Sequence, residues 1–185
     1  MELEIATTDT SEKALEIINY ILKSNWSVEE KKIRLTRFFN LTGDTFYRKI
    51  FSMSSDIFDS NALETLGFSN PDDQIERLST KLVRDYSLGR DYRVVGEEFY
   101  YSVATSAQQE AFNNAYSLDK HPTLRRKANA NCCSWCAGLE GFYIDPVGDV
   151  FAHHEKCRCS FEIRGFNTRN GKYKGHVPNR YESTK

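Results

Sequence analysis

The chain has 185 residues, of which 39% are hydrophobic and 28% are charged, and it contains 12 Phe and 10 Tyr. This apolar content is too high for a disordered protein, and the length suits one compact domain with at most a small added module. The sequence has no run of about 18 to 20 apolar residues, and its start, MELEIATTDT, lacks the features of a signal peptide, so we expect a cytoplasmic protein without a membrane span.

The formal charge of −1 hides an uneven distribution along the chain. Residues 1–120 hold 14 Lys and Arg against 20 Asp and Glu, whereas the remaining residues hold 11 against 6. All four His and all five Cys also follow residue 120. These shifts predict a helical domain over residues 1–120, a zinc-binding β module over residues 121–166, and a basic tail over residues 167–185 that is extended or disordered.

Helical periodicity begins near the start of the chain. Residues 9–42 predict two amphipathic helices that are separated at Asn25 and Trp26. Ser27, with Glu30 three residues later, predicts a capping box at the start of the second helix.

The apolar residues between Asp44 and Met53 predict a third, short helix, which is followed by a Ser/Asp-rich turn over residues 52–60 and then by Leu63 and Leu66. Asn70 and Pro71 predict the start of another helix, because they supply an N-cap and a proline at the first helical position. This helix should end by Gly89. Its predicted apolar face consists of Ile75, Leu78, Leu82 and Val83.

A long helix is predicted from about Val95 to Leu118, and its apolar stripe indicates a buried core face rather than a functional site. The stripe consists of Phe99, Val103, Ala107, Phe112 and Ala115. After Pro122 the pattern changes to short strands, which are predicted over residues 123–128, 141–144 and 160–164. The sequence therefore predicts an α+β protein with a mostly helical first part and a small zinc-stabilised β module.

The spacing of cysteine and histidine after residue 131 predicts one structural zinc ion. Cys133 and Cys136 form a Cys-x2-Cys knuckle, and after 17 residues His154 and Cys157 follow, with Cys159 two residues further on. Zn²⁺ takes thiolate and imidazole ligands in a tetrahedron, and a two-residue spacer lets both sulfurs of one turn face the same ion. The pattern leaves open whether Cys157 or Cys159 is the fourth ligand. With four protein ligands the ion has no open position for catalysis.

Cys132 and His153 exceed the four ligands that zinc needs, and we expect Cys132 to pack beside the knuckle. Two alternatives to a metal site are cysteines that only fill a core and a redox-active CxxC motif. The redox alternative is weakened because no thioredoxin-like βαβ pattern surrounds the motif. An odd number of clustered cysteines also argues against a disulfide framework.

The string CxWCxxLxGxY, a proline turn, Asp-Val-Phe and HxxCRCxxE resembles the C-terminal cysteine module of tailed-phage minor head (minor capsid) proteins, including relatives of the Mu gpF-like head-morphogenesis group. The resemblance covers about residues 104–164, and Arg125 and Arg126 also fit it. The matching residues are Cys133, Trp135, Cys136, Leu139, Gly141, Tyr143, Asp149, Val150, Phe151, His154, Cys157, Arg158, Cys159 and Glu162. The resemblance implies a virion component that is present in few copies and is associated with the capsid, the portal or packaged DNA.

The leading hypothesis is therefore a non-enzymatic phage structural protein, located in the virion and in the host cytoplasm during assembly. Its expected partners are other head proteins, capsid or portal, and DNA bound without sequence preference; no membrane or small-molecule substrate is expected. The basic residues that could meet phosphates are Arg125, Arg126, Lys127, Arg158, Arg164, Arg169, Lys172 and Lys174.

Two other hypotheses belong to different classes. The first is a small zinc-supported nuclease or toxin of HNH-like type, in which His153, His154 or His176 activates water. No acidic residue directly precedes the histidine pair, which weakens this hypothesis. The second is a zinc-ribbon-like nucleic-acid-binding regulator, for which the sequence offers no recognisable recognition helix.

Overall fold

The structure, a computed structural model, describes residues 2–58, 65, 67–68, 72–118, 120–129, 132–144, 150–152, 159–167 and 172–173. The helices are α1 (Glu2–Lys23), α2 (Val28–Ser55), α3 (Asp72–Ser87), α4 (Arg93–Ser117) and α5 (Ser134–Gly138). The strands are β1 (Thr123–Lys127), β2 (Gly141–Tyr143), β3 (Ser160–Arg164), β4 (Phe166–Asn167) and β5 (Lys172–Tyr173). A mostly helical chain with a small antiparallel sheet confirms the predicted α+β class.

The predicted break between the first two helices is confirmed, since residues 24–27 separate α1 from α2. The capping box is present: the Ser27 backbone N–H donates to Glu30 Oε2 at 2.9 Å, and the Glu30 backbone N–H donates to Ser27 Oγ at 3.2 Å. The hydrogen bond from the Ser27 backbone is the main cause that lowers the pKa of the exposed Glu30 carboxyl. Each partner satisfies a donor that the first helical turn leaves without an intrahelical acceptor.

The prediction of a separate third helix and of a turn beginning at Ser52 was wrong, because α2 continues without a break to Ser55. The buried face of α2 continues through Phe46, Tyr47, Ile50 and Phe51. Helix α2 passes through Gly43, where an added Cβ would lie 2.8 Å from Phe68 Cε1, so the glycine allows an aromatic ring to approach the backbone. Burial of this face outweighs the weak helix preference of glycine.

Helix α3 ends as predicted before Gly89, which has a φ of 64°. The Gly89 N–H donates to the Tyr86 carbonyl at 3.0 Å, and the Arg90 N–H donates to the Asp85 carbonyl at 2.8 Å. These two hydrogen bonds form a Schellman motif, in which glycine takes the left-handed conformation at the helix end. The predicted start at Asn70 and Pro71 lies outside the described residues, as do Leu63 and Leu66.

The chain divides into two compact units, and the first comprises Met1–Lys49 with Leu66–Ala104. Its core contains an aromatic group in which the Phe39 and Phe99 ring centroids are 4.6 Å apart and the Phe99 and Tyr100 centroids are 5.1 Å apart. The predicted stripe of α4 is buried, as are Ile75, Leu82 and Val83 of α3, which confirms their assignment to the core, whereas Leu78 of the same predicted α3 face is half-buried.

The second unit comprises Ile50–Thr65 with Thr105–Lys185 and contains the three predicted strands. They form an antiparallel sheet in the order β2-β1-β3, so that Leu124 of β1 is paired with Tyr143 of β2 and with Ile163 of β3. One core cluster of this unit consists of Phe58, Phe112, Ala115, Leu124, Tyr143, Val150, Phe151 and Ile163. The sheet thus buries one face against apolar residues from both helix and loop segments.

Strands β4 and β5 pair through Phe166 with Tyr173 and Asn167 with Lys172, which the sequence pattern did not predict. The rest of the predicted basic tail lies outside the described residues. The predicted division of the chain near residue 120 stays a prediction. Among the described residues, none of the helices is long and apolar enough to cross a membrane.

Candidate metal centre

Two of the predicted zinc ligands are brought together around a buried arginine. The Arg126 side chain lies on β1 and is 0% exposed. Its Nη2 donates to Cys136 Sγ at 3.6 Å and to Cys159 Sγ at 3.4 Å. The two sulfurs therefore lie within about 7 Å of each other, although 22 residues separate them in the sequence.

The same guanidinium also contacts the segment that precedes the predicted histidine ligand. Arg126 Nη1 donates to the Val150 carbonyl at 2.8 Å and to the Ala152 carbonyl at 2.7 Å. Arginine suits this position because its planar guanidinium carries several donors in a fixed geometry. We call Arg126, its two cysteine partners and its two carbonyl partners the Arg126 cluster.

The knuckle predicted at Cys133 and Cys136 is a single helical turn, α5. Cys133 is the N-cap of this turn, and its Sγ accepts a hydrogen bond from the Cys136 backbone N–H at 3.4 Å. A cysteine sulfur can accept such a hydrogen bond and also bind a metal, and hydrogen bonds of this kind tune metal–sulfur sites. The local fold therefore orients Cys133 towards the start of α5 and places Cys136 in the interior.

The described cysteines differ in how deeply they are buried. Cys136 is 0% exposed and Cys159 is 3% exposed, and together they form a small core cluster against which Cys132, Cys133 and Phe161 pack. Cys132 is half-buried beside this pair, in the place expected for a residue that packs next to the knuckle. No disulfide bond joins the four described cysteines.

The donor types fit zinc, because three described cysteines come from the two halves of the predicted motif. Within the described part of the chain, however, no three His, Cys, Asp or Glu side chains are grouped closely enough to hold one metal ion. His153, His154 and Cys157 lie outside the described residues, so this finding covers only Cys133, Cys136 and Cys159 of the predicted ligands. Of the Cys157/Cys159 pair, only Cys159 is among the described residues, and it shares the Arg126 Nη2 donor with Cys136.

The structure corrects the predicted role of Arg126 as a phosphate contact, because a fully buried guanidinium cannot meet DNA. Arg164 is bound by Glu162, with Nη2 to Oε1 at 2.6 Å, and its side chain is 19% exposed. Arg125 is half-buried with its guanidinium carbon 5.2 Å from the centre of the Phe142 ring, and Lys127 is exposed. Arg158, Arg169 and Lys174 lie outside the described residues, as does the side chain of Lys172.

Sequence reasoning missed the structural role of Arg126, although a signal was present. Residues of a strand alternate between its two faces, so Arg126 shares the face of Leu124, which is the apolar face of β1. Leu124 and Arg126 are both 0% exposed, whereas Arg125 between them is partly exposed. An arginine on the apolar face of a predicted strand needs buried acceptors, and the nearby cysteines and turn carbonyls supply them.

No protein-family model, no curated protein and no solved structure matches this chain.

Proposed function

We propose that this chain is a non-enzymatic structural component of a tailed-phage virion, a minor head protein that acts by binding capsid, portal or DNA. In this proposal one zinc ion is held by Cys133, Cys136, His154 and one of Cys157 and Cys159, and it stabilises the small sheet of the second unit. The virion role rests on the resemblance of the Cys/His motif, and the observation that supports the zinc site is the Arg126 cluster, which links both halves of the cysteine motif in the interior of the unit.

The position of the motif residues supports a structural rather than a catalytic role. Tyr143, Val150 and Phe151 belong to the core cluster of the sheet, and Cys136 and Cys159 form the neighbouring buried pair. The Phe151 and Phe161 rings stack with centroids 5.1 Å apart, and Phe161 packs against both clusters. These five residues of the motif that resembles minor head proteins lie in the interior of the unit, as expected for residues that hold a fold, whereas Trp135 and Glu162 of the same motif are exposed.

When bound, zinc would supply cross-linking free energy to a sheet whose strands are three to five residues long. The protein residues contribute the rest of the stabilisation. Tyr143 donates from its hydroxyl to the Leu139 carbonyl at 2.6 Å, which ties β2 to the end of the knuckle helix. Gln108 Nε2 donates to the Phe161 carbonyl at 3.4 Å and links α4 to β3 within the same unit.

Few of the basic residues first considered for phosphate contact are available on the described surface. Of the arginines first considered for phosphate contact, Arg126 is buried inside the unit and Arg164 is paired with the exposed Glu162. Lys127 and the partly exposed Arg125 remain accessible on β1. We therefore propose that head-protein contacts dominate and that any DNA association is electrostatic and independent of sequence.

The zinc part of the proposal is tested by metal analysis and hydrogen exchange on the full chain. Freshly purified, reduced protein should contain one zinc per chain. After chelation, amide protection should be lost between residues 123 and 164 and retained in α1 to α3. Protein that contains no zinc, or a chelated sample that keeps its protection in β1 and β3, would contradict the proposed metal site.

The virion part needs a separate test. Particles from the phage that encodes the chain should be purified by density gradient and analysed by quantitative mass spectrometry. Peptides of this chain should co-sediment with filled heads at a few copies per particle and resist removal by salt washing. Their absence from purified particles, with the protein present in the lysate, would reject a virion role even if zinc is bound.

A further inference from the structure

The Arg126 guanidinium is the feature that joins the parts of the proposed zinc site. It contacts the knuckle through Cys136, the second half-site through Cys159, and the connecting loop through the Val150 and Ala152 carbonyls. These contacts are formed by protein atoms alone.

The surroundings of Arg126 fix the direction of its donors. The guanidinium carbon lies 5.5 Å from the centre of the Phe161 ring and 5.7 Å from the centre of the Trp135 ring. The β1 backbone is paired on both sides, with Arg126 opposite Gly141 of β2 and Phe161 of β3. A side chain anchored on a central strand and enclosed by rings has little freedom to turn its Nη2 away from the sulfurs.

Charge also favours an arginine beside the two cysteine sulfurs. Metal-bound cysteine sulfurs carry negative charge, and a buried guanidinium that donates to them offsets part of it. The sulfurs and the two carbonyls in turn stabilise the buried Arg126 guanidinium, whose positive charge would be costly to bury without acceptors. Partners in the outer shell of metal sites orient the ligands and change metal affinity by about 10- to 100-fold when they are replaced.

We propose that Arg126 is a positioning residue of the metal centre, which sets the affinity of the site by holding the Cys136 and Cys159 sulfurs and the 150–152 segment in one arrangement. This inference rests on the proposed zinc site. Lysine cannot replace this arginine, because one ammonium group cannot direct donors to two sulfurs and two carbonyls in a plane.

The test compares Arg126→Lys and Arg126→Met with Arg125→Met in the full chain. Arg125 is the matched control, since it is the neighbouring arginine on β1 and lies over Phe142 on the more exposed face. Zinc affinity is measured by chelator competition, and Co²⁺ binding is followed by its visible absorption. The melting temperature of each protein is recorded with and without zinc.

Both Arg126 variants should bind zinc about 10- to 100-fold more weakly than the wild type, while Arg125→Met stays within about 3-fold. The Co²⁺ spectrum at saturation should keep its shape, because no ligand has been removed. The rise in melting temperature on adding zinc should be smaller in the Arg126 variants. If Arg126→Met does not fold, Arg126→Lys decides the result.

Wild-type zinc affinity in folded Arg126→Lys would overturn the inference and leave the zinc site intact. An equal loss of stability with and without zinc would also overturn it, since Arg126 would then act only in packing. A wild-type protein that binds neither Zn²⁺ nor Co²⁺ would reject the zinc site itself, and this inference with it. The normal metal binding of the control separates these outcomes from a general effect of replacing an arginine on β1.

Discussion

Alkaline pH should destabilise the first unit through one buried tyrosine. Tyr100 is 0% exposed, and its hydroxyl oxygen lies 2.7 Å from Thr42 Oγ1. Thr42 Oγ1 donates its own hydrogen to the Phe38 carbonyl at 2.7 Å, so Tyr100 is the donor in this pair. Burial raises the pKa of Tyr100 to about 12.

The size of the effect follows from the two pKa values. A folded-state pKa of about 12 against 10.0 for the unfolded chain means that the folded protein binds the phenol proton more tightly. The resulting stability is complete below pH 10 and is lost as the pH rises from 10 towards 12. At 1.36 kcal/mol for each pKa unit, the total loss is about 3 kcal/mol.

The change to test is Tyr100→Phe, with urea unfolding followed by helical circular dichroism between pH 8 and 12 under reducing conditions. At pH 8 the variant should be less stable by about 1 kcal/mol, because it loses one buried hydrogen bond. As the pH rises from 10 to 12, the free energy of unfolding of the wild type should fall by about 3 kcal/mol because Tyr100 ionises, and the variant should not show this loss. The two stability curves should therefore cross between pH 10 and 12.

Tyr20→Phe is the matched control, because Tyr20 is 68% exposed on α1. It should keep the wild-type pH profile and should not produce a crossing. Parallel curves for the wild type and Tyr100→Phe over the whole pH range would refute the reasoning, because they would mean that ionising Tyr100 carries no extra cost in the folded protein.

Further predictions concern the metal module and the helical part. Cys133→Ser and Cys136→Ser should each lower the melting temperature of the second unit strongly, whereas Cys132→Ser should have a mild effect; equal losses for Cys132→Ser and Cys133→Ser would place the knuckle one residue out of register. His154→Ala should reduce zinc affinity more than His153→Ala, as measured by chelator competition. The protein should not cleave plasmid DNA in Mg²⁺ or Mn²⁺, and any DNA binding should weaken steeply with salt; cleavage that His153→Ala abolishes would instead support the nuclease hypothesis. Ser27→Ala should cost about 1 kcal/mol in urea unfolding, because the two hydrogen bonds of the Ser27 hydroxyl with Glu30 at the start of α2 are lost, and an unchanged midpoint would contradict that role.

Local sequence signals predicted most of the secondary structure. Ser27 and Glu30 marked the start of α2, Gly89 marked the end of α3, and the strand over residues 160–164 was predicted at its observed bounds. These features depend on hydrogen bonds and side-chain periodicity within a few residues. They could be read from the sequence because the groups that determine them are neighbours along the chain.

The unbroken length of α2 could not be predicted from such local signals. One predicted helix ended at residue 42, another began at Asp44 and a turn was predicted from Ser52, but α2 continues to Ser55. Ser54 and Ser55 donate from their hydroxyls to the carbonyls four residues earlier, Ile50 and Phe51. Burial of the aromatic face and the approach of Phe68 to Gly43 depend on residues far away in the sequence, and such contacts override local preference.

The sequence by itself determined the composition of the candidate site, because ligand type and the spacing of Cys133 and Cys136 are local properties. Tertiary structure alone decided that Cys159 approaches Cys136, and that Arg126 faces inward to meet both sulfurs and the Val150 and Ala152 carbonyls. The reason is that a buried cation is stable only where the fold gathers enough acceptors around it. Here those acceptors come from three separate segments, which the pairing of the β-strands brings together.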